Sequence, residues 1–332
     1  MFSRRRMLLC SLANVALAPI AVRAQPTKTY RLGVLGNNAV SGRWLIDLLL
    51  AALKERGWVV GRNLQIELRS TEGDHQRAAG LARELIEQRV DLIVTITTGN
   101  AVAARQVTST VPIVMLGSGY PVEAGLAKSL ANPGGNVTGV SVYAGTEIWG
   151  KYVSFARELD PEVRRLHVLF DYVVSDKELD PLLAELHGAA RAKNLDLRFR
   201  RHTNEVELAA SLSAIETADA SALLVTSGPV HFQPANVKRI DEFALRHRLP
   251  MINDVATSLF LGGGLLSYST TPREVADRCA SMIDRILRGA SPGSVPIEYP
   301  TKFELAINMK TARALRFTVP QSILLRADRV ID

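Results

Sequence analysis

Between residues 30 and 288 short apolar, β-branched runs alternate with longer helical stretches almost without a break, and nothing else in the sequence constrains the fold as strongly. A strand, a helix and a second strand in succession give a parallel pair joined by a right-handed crossover. The unit is clearest over residues 91–106, DLIVTITTGNAVAARQ. Leu92, Ile93, Val94 and Ile96 read as a strand buried on both faces. The turn Thr97-Thr98-Gly99-Asn100 follows, and then the helix former Ala101-Val102-Ala103-Ala104. Free N–H groups and the positive end of a helix dipole then point out of the carboxyl edge of the sheet, where open α/β sheets bind ligands. The competing reading is that Thr98 and Asn100 only cap a helix.

The remaining units fall into two runs. The first has strands expected at 30–35, 64–69, 92–96 and 112–116, with helices at 44–56 and 74–88. A turn cluster at 132–136 and an extended 137–143 restart the cycle. Strands are then expected at 165–170, 195–200, 222–226 and 250–252, with helices at 147–159, 181–193, 205–217 and 235–248. A strand at 265–268 and a long helix at 272–288 close the pattern. The α/β fold expected is two doubly wound parallel-sheet lobes facing a ligand cleft, joined near residues 141 and 262. Residues 30–141 and 262–298 would form one lobe, and 142–261 and 299–332 the other.

Residues 1–24 belong to neither. Arg4, Arg5 and Arg6 precede an apolar run from Met7 to Ala21, and Val22-Arg23-Ala24 ends it. This is the pattern of a signal peptide cleaved after Ala24, with a twin-arginine-like start. The run is shorter than the ~20 residues of a spanning helix and contains Pro19. Export to the periplasm without an anchor is expected. Cleavage removes four arginines and no acids, leaving 36 basic against 33 acidic side chains, +3 instead of +7. A weak positive charge without a Lys/Arg cluster argues against a nucleic-acid partner. Cys279 is then the only thiol, so no intrachain disulfide forms, and it reads as a packed small residue.

The turns collect the polar chemistry. Asn38, Thr98, Gly99, Asn100, Ser118, Tyr120, Asp171, Ser227 and Asp254 all stand at expected strand ends. Uncharged donors on one lobe and an acid on the other suit a small zwitterion, its carboxylate at Thr98–Asn100 and its ammonium at Asp171 or Asp254. Trp44, Tyr120 and Tyr143, with Tyr172, could wall the site.

Other chemistries lack their residues. Gly145-Thr146-Glu147-Ile148-Trp149-Gly150-Lys151 has P-loop spacing, but Tyr152 stands where a Ser or Thr must ligate Mg²⁺. No GxGxxG follows the first strand and no GxSxG elbow occurs. The six histidines show no metal-ligand spacing. No cofactor, metal or enzymatic activity is expected.

The C-terminal stretch PTKFELAINMKTA at 300–312 and LLRADRVI at 324–331 closely resembles the end of ABC transporter substrate-binding proteins of the tryptophan/tyrosine type. The likeness extends to GWVVGRNLQIELR at 57–69, PVEAGLAKSLANPGGNVTG at 121–139, HRLPM at 247–251 and GGLLSY at 263–268. The resemblance implies a type I periplasmic-binding-protein fold with three crossovers between lobes. It also implies a receptor that carries a small solute to an ABC permease; the chain itself is expected to be monomeric and to move by hinge closure. Two positions depart from the family pattern. Gly119-Tyr120-Pro121-Val122 stands where relatives commonly have Gly-Asp-Pro-Val, and Gly228 replaces a common acid, so the solute could differ from an aromatic amino acid. The alternatives are a secreted hydrolase or isomerase on a similar scaffold and a ligand sensor for a membrane kinase.

Overall fold

The structure is a computed structural model that describes residues 28–37, 43–142, 147–171, 176–215, 220–226, 228, 230–231, 233–255 and 263–332. The signal-peptide stretch therefore lies outside the described residues, as do Asn38, Tyr143, Tyr172 and Ser227. No helix of the described residues is long and apolar enough to cross a membrane.

The first sheet holds β1 (Tyr30–Gly36), β2 (Leu64–Ser70), β3 (Leu92–Thr95), β4 (Ile113–Ser118) and β5 (Val137–Ser141). All its pairs are parallel, in the order β2-β1-β3-β4-β5. Successive strand residues feed opposite cores, as the period of two requires. Leu92, Val94, Val114 and Leu116 pack with α1 (Arg43–Glu55), while Ile93, Ile113 and Met115 pack with α2 (Ala78–Glu87) and α3 (Thr98–Val107). Helices on both faces explain why these strands read as continuous apolar runs.

The second sheet holds β6 (Arg165–Phe170), β7 (Asp196–Arg201), β8 (Ser221–Val225), β9 (Met251–Asn253), β10 (Leu266–Thr270), β11 (Phe303–Asn308) and β12 (Arg329–Ile331). Its order is β12-β11-β10-β9-β8-β6-β7, and only β10–β11 is antiparallel. Around it lie α4 (Glu147–Leu159), α5 (Asp176–Ala192), α6 (Glu205–Ser213) and α7 (Pro234–Arg246). Trp149, Tyr152 and Phe170 fill its core.

Three boundaries differ from expectation. The helix expected from residue 74 begins as a 3₁₀ turn at His75–Arg77, capped by Asp74, before α2. α5 starts at Asp176, five residues earlier than expected, so Pro181 stands in its second turn, where its missing N–H removes one intrahelical bond. Most consequentially, β10 pairs with β9 through Leu266↔Ile252 and Ser267↔Asn253. Residues 266–270 thus belong to the second sheet, and the chain returns to the first only at α8 (Pro272–Leu287). A strand's choice of sheet is a long-range pairing with no local mark.

α8 lies against α1, β4 and β5 and buries one stripe, Val275, Ala276, Cys279, Met282, Ile283 and Ile286. Cys279 is buried there as expected, its Sγ 3.2 Å from the Met115 carbonyl. Three segments among the described residues cross between the sheets: after Ser141, around Thr271 and after Glu298. The first and third run together, with Ser141 N–H donating to Glu298 O at 2.9 Å and Glu298 N–H to Gly139 O at 3.1 Å. Arg278 of α8 pins the third, bonding Glu298 at 2.6 Å and Glu274 at 2.8 Å. Glu274 in turn accepts from the Thr301 and Lys302 N–H groups.

Candidate functional site

Where the carboxyl edges of the two sheets face each other, the structure forms a partly open cavity of about 140 Å³. The first sheet contributes Ile96, Thr97 and Thr98 after β3 and Leu116–Gly119 at the end of β4. Asp254 and Val255 after β9, Ser269 and Thr270 of β10, and Tyr152 of α4 come from the second. Val142, Pro272 and Phe303 enter from the crossovers, and Trp44 and Leu45 from α1.

Local backbone features aim these residues. The pairing of β4 with β5 slips between Leu116 and Ser118, and Gly117 sits at φ +83°. That is a β-bulge, which re-aims the side chain after it. Ser118 is 1% exposed and its hydroxyl, in the cavity wall, has no hydrogen-bond partner. Thr97 holds φ 83° and ψ 153°, a region that residues with a Cβ rarely adopt. It is the N-cap of α3 yet makes no capping bond, and its hydroxyl is buried without a partner. Strain and orphaned hydroxyls gathered at one helix N-terminus mark a place built for something other than packing.

Of the residues expected from sequence, Trp44, Thr98, Ser118 and Asp254 line the cavity. The Thr98 hydroxyl is occupied: it accepts from Gly119 N–H at 2.9 Å and donates to Gly119 O at 3.0 Å. Asn100 is fully buried behind the wall, and its Nδ2 donates to Asn37 Oδ1 and Ile96 O at 2.8 Å each, tying two turns together. Its side chain fits the capping and tying role better than a ligand contact. Gly99 stands in the first turn of α3 without lining the cavity.

Tyr120 and Asp171 do not line it either. Tyr120 takes φ 47° and its hydroxyl accepts from Trp149 Nε1 at 2.7 Å, joining the turn after β4 to the core of the second sheet. Burial pushes its phenol well above the usual range. Asp171 is fully buried, accepting from the His231 N–H at 2.7 Å, and one carboxylate oxygen has no partner. Burial holds it well above the usual carboxylate range, assisted by the nearby charge of Asp254. Gly228 seals it: a Cβ there would stand 2.5 Å from the Asp171 carboxyl carbon. Beside it His202 and His231 meet Nε2 to Nε2 at 2.6 Å, and His231 Nδ1 donates to Thr226 O. Burial lowers both, to about 4 and about 3.

Sequence reasoning missed Thr97, Tyr152, Val142, Val275 and Phe303. Tyr152 is fixed by its hydroxyl donating to Tyr268 O at 2.9 Å. Asp254 is the only charged side chain among the described lining residues. The cavity therefore has an anionic wall on the second sheet and the positive end of α3 on the first. Among the described residues no group of three His, Cys, Asp or Glu side chains is placed to hold a metal.

A family model described as ABC transporter substrate binding protein matches residues 45–331. A tyrosine-binding protein of Clostridioides difficile is 25% identical over 272 residues, spanning 80% of this chain and 74% of that protein. The crystal structure of an ABC domain in complex with L-Trp from Streptococcus pneumonia superposes with a TM-score of 0.81. It is 24% identical, and the match covers 92% of this chain and all of that one. A conserved domain protein of Vibrio cholerae gives 0.82 at 23% identity, over 91% of this chain and all of that one.

Proposed function

The chain belongs to the ABC transporter substrate-binding proteins, with the type I periplasmic-binding-protein fold, and from that premise we propose that it is the periplasmic receptor of an ABC importer. In this reading it is exported, cleaved after Ala24 and released as a monomer. It takes a small amino acid between the two lobes, closes about the crossovers and delivers the solute to the permease. The observation that carries the solute class is the polarity of the cavity. Asp254 offers a carboxylate for an ammonium group. On the opposite wall Thr97, Ser118 and the Thr98 N–H at the start of α3 offer donors for a carboxylate. Trp44, Leu45 and Ile96 take the apolar body. Tyr120 and Asp171 act behind the wall, as lobe-joining and packing residues. Two of the matched proteins bind tyrosine or hold L-Trp, which supports an amino acid as the solute. The family is one of substrate-binding proteins, and in this reading no bond is made or broken.

The test starts with mass spectrometry of small molecules that co-purify with the mature chain. Uptake of the labelled compound is then compared in cells with and without the gene. Deletion should abolish high-affinity uptake. Undiminished uptake would refute the importer role, and conversion of the compound by the purified protein would favour the hydrolase or isomerase reading.

A further inference from the structure

Resting on the receptor reading, we propose that the solute is compact: an amino acid whose aliphatic side chain has at most about four carbons, rather than an indole- or phenol-bearing one. The volume of the partly open cavity, about 140 Å³, is the first reason. An engineered apolar cavity of roughly 150 Å³ accommodates benzene, a single six-membered ring. A ligand whose polar head also spans from Asp254 to the start of α3 takes up much of that volume before a bicyclic ring is placed.

The second reason is that the walls are held. Thr98 is locked to Gly119 by two hydrogen bonds, and Tyr152 to the Tyr268 carbonyl by one. Leu116 and Val275 are 1% and 4% exposed and belong to the core between the first sheet and α8. Packed cores of this kind do not yield to an oversized ligand without strain. The third reason is chemistry: beside the rings of Trp44, Tyr152 and Phe303, the apolar lining carries more branched side chains, Leu45, Ile96, Leu116, Val142 and Val275, which match a branched aliphatic body.

The experiment is calorimetric titration of the ligand-stripped mature chain with L-alanine, L-valine, L-leucine, L-tyrosine and L-tryptophan. One methylene in an apolar pocket changes selectivity roughly 10- to 200-fold. L-Valine or L-leucine should therefore bind at least about 10-fold more tightly than either aromatic amino acid. Phe303→Ala removes a partly exposed lining ring and should narrow that ratio at least about 10-fold. Trp44→Ala on another wall serves the same purpose where Phe303→Ala does not fold. Equal or tighter binding of L-tyrosine or L-tryptophan by the wild type overturns the size limit and leaves the receptor reading standing. So does an unchanged ratio in a folded, enlarged variant. If no amino acid of the panel binds, the co-purifying compound decides: one larger than leucine overturns the inference, and a smaller aliphatic one supports it. Absence of any bound small molecule, together with no binding in the panel, overturns the receptor reading itself.

Discussion

Thr98→Val separates a hydroxyl that holds the wall from one that holds the solute. The substitution keeps the side-chain volume. It removes an acceptor for Gly119 N–H at 2.9 Å and a donor to Gly119 O at 3.0 Å, at a residue only 8% exposed. Leaving a buried polar group unpaired costs about 1–3 kcal/mol, so two such groups should cost about 2–6 kcal/mol of folding stability. Thr98→Ser retains both bonds and loses one methyl group, about 1 kcal/mol. Urea unfolding of the mature wild type and both variants, followed by circular dichroism, measures the difference. If the Val and Ser variants agree within about 0.5 kcal/mol, the spread of an unremarkable substitution, the reciprocal bond with Gly119 does not support the fold and the reasoning fails.

Asp254→Asn should weaken binding of an ammonium-bearing solute roughly 10- to 150-fold, the equivalent of about 1.5–3 kcal/mol for a charge-assisted bond, with the melting temperature preserved. Unchanged affinity by calorimetry would remove Asp254 from the site. Gly228→Ala places a Cβ 2.4 Å from the Asp171 carbonyl oxygen and should destabilise by about 1–3 kcal/mol, read from the urea midpoint. His202 and His231 stay neutral in the fold down to about pH 4 and 3, whereas unfolded histidines titrate near 6.5. The unfolded chain therefore binds more protons below about pH 6.5, and stability falls as the pH drops, by about 2 kcal/mol per histidine between pH 7 and 5. Asp171, raised in the fold, acts in the opposite sense as pH rises above the unfolded carboxylate range. Urea midpoints of wild type and His202→Gln at pH 7 and 5 isolate the histidine share, and equal slopes for the two proteins would contradict it.

The strands and their parallel, two-sided packing were largely legible because strands buried on both sides must be apolar throughout. Leu92, Ile93 and Val94 carry that information locally. Ser118 and Asp254 were legible as polar residues at strand ends. What remained hidden depends on distant partners. Nothing near Thr98 indicates that its hydroxyl meets Gly119, 21 residues on. Tyr152 reaches the cavity from α4 and Phe303 from the third crossover, and within their own segments they look like core. Thr97 is marked by a backbone conformation, φ 83°, which composition does not encode. The sheet chosen by residues 266–270 was misplaced for the same reason, since β9 and β11 rather than their own sequence decide it.

Each crossover supplies a wall to the cavity: Val142 from the first, Thr270 and Pro272 from the second, Phe303 from the third. The solute in the proposed receptor therefore sits beside the fulcrum of a lever whose long arms are the lobes. A small difference in thickness at that point is multiplied, in proportion to arm length, into a larger difference in the gap at the far rims. A solute slightly too large would leave the jaws ajar rather than simply bind more weakly.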